Sequence, residues 1–371
     1  MNNAIKYFIG CGVPVFSCNF RCMYCYLGQH PTDTRLKGGI TNFSHSPEFI
    51  ANYFSVEKLG GFAYFNFCAS GETLLHPQIV ELVSLLTKQG HYCDIITNGT
   101  ISKKIEELIE VLSDEQKKHL LIKFSFHWLE LKRLNLLSRY VENVKKIKEA
   151  GISFSVEITP HDELIPFIDE IKDFSFANFG ALPHITVARN EATQDIEVLS
   201  KLSPEEYEKT WASFDSDMFR FKYSTFGEKR CEFCYAGLWS LQLDLATGSY
   251  YQCYGGDLLG NINKEKINFR PVGNCKMPHC FNSHAYMTYG IIPNVEAPYY
   301  NNMRDRLCED GSHWIQEKAR EFFSTKLKDS HEQLSMSDQK KVIRWAGINR
   351  IKAKTTYYSE IAMRKLKKKL K

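Results

Sequence analysis

The chain has 371 residues, 43% of them hydrophobic and 24% charged, with a formal net charge of +4. That apolar content is enough for a large core and one or two domains, and the charged fraction is ordinary for a folded protein. No apolar run is long enough to cross a bilayer, and Met1-Asn2-Asn3-Ala4 lacks the basic-then-apolar pattern of a secretory signal, so a cytoplasmic location is expected. Charge is uneven: twelve Lys or Arg and one acid, Glu360, fall between Lys340 and Lys371. The remainder is mildly acidic, so it carries no footprint of a nucleic-acid binder.

In chain order, the first 190 residues alternate short apolar strands with helical stretches. The pattern predicts strands over Tyr7–Cys11, Phe62–Phe67, Cys93–Ile96, Leu121–Phe126, Ser153–Ile158 and His184–Val187. Amphipathic segments lie between them, such as Ile79–Gln89 and Tyr140–Ala150, with Gly90 and Gly151 placed as C-terminal caps. Repeated strand–helix units imply an α/β fold with a parallel sheet and right-handed crossovers, and six of them would curve into a partial barrel. In such folds the chemistry gathers at the carboxyl ends of the strands.

Residues 191–230 read as a connector carrying one helix, Pro204–Ser213, started by Ser203-Pro204-Glu205-Glu206. Residues 231–284 are rich in Cys and Gly and predict a hairpin, Leu238–Leu245 then Ser249–Tyr254, turning at Thr247-Gly248. Residues 285–371 read as a helical, basic C-terminal region, with helical patterns over His313–Leu327 and Ser337–Ile351. Its last stretch, Arg364–Lys371, would suit anionic lipid headgroups at a membrane surface or a pyrophosphate-linked substrate. A terminal charge run of this kind is more often simply solvated.

There are twelve cysteines, and eight of them fall in two groups, 18–25 and 231–280. In a reducing compartment such clustering points to metal rather than disulfides. The first group, Cys18-Asn19-Phe20-Arg21-Cys22-Met23-Tyr24-Cys25, follows the first strand. A cubane cluster normally takes four cysteines, so three local ones leave one iron open. Zinc, which favours four ligands in paired spacings, fits this triplet poorly.

The C-x3-C-x2-C pattern with an aromatic before its last cysteine resembles the signature of the radical S-adenosylmethionine (SAM) superfamily. The resemblance implies a [4Fe–4S] cluster on Cys18, Cys22 and Cys25, with SAM chelated to the open iron. It further implies reductive cleavage to a 5′-deoxyadenosyl radical that abstracts hydrogen from a substrate, fed by an electron donor such as flavodoxin or ferredoxin. Tyr24 would then lie against the adenine. Ser70-Gly71-Glu72-Thr73 stands after the second strand, where the family has Gly-Gly-Glu-Pro, and matches it at Gly71 and Glu72. These two would meet the amino group of SAM. Asn98 and Ser125, at the ends of the third and fourth strands, would contact its ribose and carboxylate. His127 and Glu157 lie at equivalent strand ends.

The second group resembles the auxiliary-cluster region called SPASM or twitch. Five cysteines rather than seven imply a single auxiliary [4Fe–4S] cluster, on Cys234, Cys253, Cys275 and Cys280. Cys231 is a spare that could exchange with Cys234, and structural zinc on two cysteine pairs is the alternative. Among the remaining cysteines, Cys308 sits in a polar stretch and is a candidate hydrogen donor to a substrate radical. Two substrate classes remain open. One is a sugar, nucleotide-sugar or lipid-linked glycan that is epimerised, dehydrated or oxidised. The other is a ribosomal peptide that is crosslinked or epimerised. A start directly at the barrel strand favours the first. A non-catalytic, zinc-stapled binding module is the reading from another class.

Overall fold

The computed structural model describes residues 3–29 and 38–348. Six strands follow one another across a parallel sheet: β1 Tyr7–Val13, β2 Ala63–Ala69, β3 Tyr92–Thr97, β4 Leu120–Ser125, β5 Ser153–Ile158 and β6 His184–Ile185. Each pairs in parallel with the next. Helices connect them, among them Ile79–Lys88, Ser102–Val111, Leu137–Glu149 and Ile168–Phe179. This is the expected α/β architecture of a partial barrel. Gly90 and Gly151 take φ values of 90° and 72°, the left-handed conformation that ends a helix at little cost to glycine.

The period-2 alternation of the strands sorts their side chains to two faces. Ile9, Cys11, Phe65, Phe67, Cys93, Ile95, Ile122 and Phe124 pack with the apolar stripe Ile79, Leu82, Val83 and Leu86 of the helix between β2 and β3. Phe8, Tyr64, Tyr92 and Leu121 point the other way. They pack on aromatic side chains from the last third of the chain: Phe8 stacks on Tyr289 at 4.9 Å and Tyr92 on Phe322 at 3.8 Å. The C-terminal helices Ser283–Tyr286, Tyr300–Arg304 and Glu317–Phe323 thus close one face of the sheet.

The predicted hairpin is present as strands Ser240–Asp244 and Ser249–Tyr251, followed by Leu258–Asn261. Ser240–Asp244 runs parallel to β1, with Ile9 opposite Leu241, so the Cys-rich segment extends the barrel sheet to nine strands. The connector helix spans Pro204–Ala212, started by a capping box between Ser203 and Glu206. A second connector helix, Asp217–Ser224, is capped by Ser216 and has no strong apolar period to announce it. The expected helix over His313–Leu327 is shorter. His313 is held in a bridge to Leu307, and only Glu317–Phe323 is α-helical. Residues 336–348 are helical, whereas Ile351 and the basic stretch Arg364–Lys371 lie outside the described residues. Among the described residues, no helix is long and apolar enough to cross a membrane.

One buried histidine makes the fold sensitive to acid. His91 is fully buried; its Nδ1 accepts from the Ala63 amide (3.1 Å) and its Nε2 donates to the Phe54 carbonyl (2.9 Å). Burial lowers its pKa to about 4. The unfolded chain therefore binds the extra proton between about pH 6.5 and 4 while the folded one does not, so stability falls as pH drops through that window. The linked loss is on the order of 3 kcal/mol across it. Urea midpoints taken from pH 7 to pH 4 are expected to fall steeply in the wild type and less steeply in His91→Gln.

Candidate functional site

The loop after β1 carries Cys18, Cys22 and Cys25, and four other strand ends hold it. From the β2 end, the Gly71 amide donates to the Val15 carbonyl (2.7 Å) and the Glu72 amide to the Ser17 carbonyl (3.0 Å). From the β3 end, Asn98 Nδ2 donates to Asn19 Oδ1 (2.7 Å), and Asn19 Nδ2 donates to the Thr100 hydroxyl (2.9 Å). After β4, Glu130 accepts from the Arg21 amide (2.8 Å), and the Tyr24 hydroxyl pairs with His127 Nδ1 (2.5 Å). After β5, the His161 ring stacks on Tyr24 at 4.1 Å.

Cys22 is buried, and Cys18 and Cys25 are half-buried. Burial pushes the Cys22 thiol up to about 12, and the nearby Cys25 and Cys18 add to the rise. The Cys18 thiol is also raised by burial, with Glu72 and Cys25 adding to it. Three thiolates this close repel one another unless a cation sits between them, as a cluster's iron would. The donor set therefore fits a thiolate-bound metal centre.

The structure gives the expected cofactor contacts different tasks. Glu72 is buried, and its carboxylate already accepts from the Thr97 hydroxyl (2.6 Å), the Asn98 amide (2.7 Å) and the Leu74 amide (3.0 Å). It joins the ends of β2 and β3 rather than standing ready for an ammonium group. Asn98 is engaged likewise, its Oδ1 accepting from Thr100. Ser125 ends β4, in register with Glu157 of β5. Gly71 is required by close approach: a Cβ there would lie 1.9 Å from the Ser17 carbonyl oxygen. Gly71→Ala must push the two loops apart. It is expected to cost about 1–3 kcal/mol and to release iron from the first cysteine group, as read by thermal melting and iron content.

On the face closed by the C-terminal helices, several charged side chains are buried or half-buried. Asp94 of β3 and Lys123 of β4 form a buried ion pair (3.0 Å), and Asp94 also accepts from the Tyr64 hydroxyl and from Asn66 Nδ2 (2.5 Å). Glu157 pairs with the buried Arg304, whose guanidinium lies over the Tyr300 ring. Arg189 pairs with Glu191 (2.9 Å) and lies over the Tyr26 ring, one residue past Cys25. Lys222 is buried and donates to the Thr186 hydroxyl (2.7 Å). Burial, with Arg189 and Arg304 nearby, drives its pKa well down. Sequence reasoning missed Asp94, Lys123 and Arg304. The first two were available as charged residues in the middle of otherwise apolar strands.

Residues 13–165 match the family described as the Radical SAM superfamily. This stretch is a radical SAM domain. No curated protein matches the chain. Among solved structures it is similar to Streptococcus suis SuiB bound to S-adenosylmethionine, at 14% identity and a TM-score of 0.48, over 70% of this chain and 64% of that one. It is also similar to native anSMEcpe with bound AdoMet, at 16% identity and a TM-score of 0.47, over 69% of this chain and 78% of that one. The chain thus spans less than two thirds of the SuiB chain.

The second cysteine group converges as well. Cys234 ends the short strand Phe233–Cys234, which pairs with Gly273–Asn274 just before Cys275. Cys253 follows the strand Ser249–Tyr251. These three and Cys280 line one pocket with His279, Tyr254, Phe281 and Tyr286. Cys231 is exposed and lies outside it. Burial pushes the Cys234 thiol up to about 12 and raises Cys253 and Cys280 further, with the neighbouring thiols adding to it. Four thiols around one pocket are a donor set that suits a cubane. Among the described residues, no three His, Cys, Asp or Glu side chains close on a single-ion site. A cubane makes a different demand, since each thiolate takes its own iron.

Cys308 is placed elsewhere. It is buried beside Gly180, and its thiol donates to the Phe179 carbonyl at the end of the helix that leads into β6. That is the amino end of the sheet, whereas the first cysteine group stands at the carboxyl end. The structure does not bring Cys308 to the other site residues.

Proposed function

We propose that the protein uses a SAM-bound [4Fe–4S] cluster on Cys18, Cys22 and Cys25 to activate a polar substrate held between the strand ends and the C-terminal helices. When bound, the cluster and SAM would supply a 5′-deoxyadenosyl radical able to remove a hydrogen atom from substrate. The observation that carries this reading is the three-thiol loop of the radical SAM domain, held by four strand ends. Rigid support of this kind is what a reactive centre needs in order to keep one coordination position open. Tyr24, Asn98 and Ser125 stand around that position, and Gly71 and Glu72 set the spacing of the loops beneath it. Cys234, Cys253, Cys275 and Cys280 hold an auxiliary cluster in this reading, and the reducing electron comes from a flavodoxin- or ferredoxin-type donor.

The substrate is best read as a sugar-type molecule carrying an anion, such as a nucleotide-sugar. Lys222 supports this: among the described residues it is a buried amine whose bonded partner is a hydroxyl rather than a carboxylate. A buried amine so placed gains most from an incoming anionic group. Solved structures of SuiB and anSMEcpe include ones bound to the precursor peptide SuiA and to the peptide Cp18Cys. A peptide is accordingly the competing substrate class in the test.

Anaerobic reconstitution followed by reduction is expected to yield roughly eight irons per chain, as two cubanes require, and 5′-deoxyadenosine from SAM. Anionic sugars are expected to raise the rate of cleavage. Zinc in place of iron, with no cleavage, would overturn the reading. Turnover of peptides alone would replace the substrate assignment.

A further inference from the structure

We propose that His279 donates a ring N–H hydrogen bond to a sulfur of the auxiliary cluster and so tunes its reduction potential. The inference rests on the assignment of that cluster to Cys234, Cys253, Cys275 and Cys280. His279 precedes Cys280 in sequence and lines the pocket that the four thiols share. It is 1% exposed, yet neither Nδ1 nor Nε2 has a hydrogen-bond partner. A buried imidazole with both nitrogens unmatched is rare, because each unmade bond leaves the desolvation of a polar atom uncompensated. It therefore calls for a partner that the protein atoms do not supply.

The surroundings narrow what that partner is. The ring lies against Phe226 at 4.3 Å and Phe281 at 6.2 Å, neither of which offers an acceptor. The charged groups facing it are the cations Lys222 and Arg189 and the acid Asp195. The pocket also carries Gln252, Tyr254 and Asn282, none of which bonds the ring, and its four thiols would hold all four irons of a cubane. His279 is thus left to donate to a sulfur instead of binding iron. Hydrogen bonds to cluster sulfurs stabilise the reduced, more negative state and raise the potential.

Lys222 and Arg189 also act on the ring electrostatically, so it lies within reach of charged side chains of the candidate site. A potential set there bears on whether the auxiliary cluster can exchange an electron with a substrate radical.

The test compares the reconstituted full chain with His279→Phe, which keeps an aromatic ring between Phe226 and Phe281, and with His279→Gln, which restores an N–H donor. Iron content and the midpoint potential of the auxiliary cluster are read by redox titration with electron paramagnetic resonance. A Cys18/Cys22/Cys25→Ala background isolates the auxiliary signal. His279→Phe is expected to keep its iron and shift the potential to more negative values, with His279→Gln recovering part of the shift. An unmoved potential with full iron content would overturn the hydrogen bond while leaving the cluster assignment standing. Loss of auxiliary iron in both variants would make His279 a ligand and overturn it too. A wild-type chain that loads only about four irons would fail the cluster assignment itself, and His279's role with it.

Discussion

Replacing Cys18, Cys22 and Cys25 together with alanine is expected to abolish SAM cleavage while leaving the protein folded. Iron content should fall from roughly eight to roughly four per chain, because one of two cubanes is lost. The fold should survive because the bonds that tie the loop to the other strand ends do not use its thiols, although the local bond from the Phe20 amide to Cys18 Sγ (3.4 Å) is lost. The Glu72 amide to the Ser17 carbonyl, the Arg21 amide to Glu130, and the Asn19–Asn98–Thr100 network all remain. Only Cys22 is buried among the three, and its truncation costs about 1–2 kcal/mol. Cys253→Ala is expected to do the converse, reducing iron content while cleavage of SAM continues. Persistent 5′-deoxyadenosine formation in the triple variant, measured chromatographically after reduction, would sink the assignment of the first cysteine group.

The six parallel strands were legible because each is a short apolar run bounded by an amphipathic helix or a glycine. Strand ends shifted by a residue or two. Tyr7–Cys11 became Tyr7–Val13, since Gly12 and Val13 continue the ladder with Cys68 and Ala69. The pairing of Ser240–Asp244 with β1 was not legible, because nothing local tells a hairpin strand which distant edge it will join. Gly71 and Glu72 were found by motif, yet their tasks were not: the contact of Gly71 with Ser17 and the three bonds to Glu72 depend on how two loops meet. The grouping of Cys234, Cys253, Cys275 and Cys280 was expected from the resemblance to an auxiliary-cluster region, and the pocket they line was not. The unmatched nitrogens of His279 were not expected either, since an isolated histidine in sequence gives no sign of what surrounds it.

The ion pair between Asp94 and Lys123 carries the largest expected effect on stability. Both side chains are almost fully buried, and their oppositely charged ends lie 3.0 Å apart. Removing one partner leaves the other charged and unpaired in a poorly solvated place. Lys123→Met is therefore expected to destabilise the fold by about 3–5 kcal/mol, even though methionine nearly matches the lysine stem in length. Asp94 would retain the Tyr64 hydroxyl and Asn66 amide, which are neutral donors and cannot replace a cation. Adding Asp94→Asn removes the stranded charge, so the double variant should be more stable than Lys123→Met alone. The strong negative coupling separates this pair from two independent core substitutions, whose costs would simply add. Urea denaturation of the four proteins at pH 7 measures the cycle, and additive costs would show that the pair is not a coupled unit. Lys123 also acts on the Cys68 thiol near the end of β2. The double variant is accordingly expected to regain stability without restoring the charge that acts on Cys68.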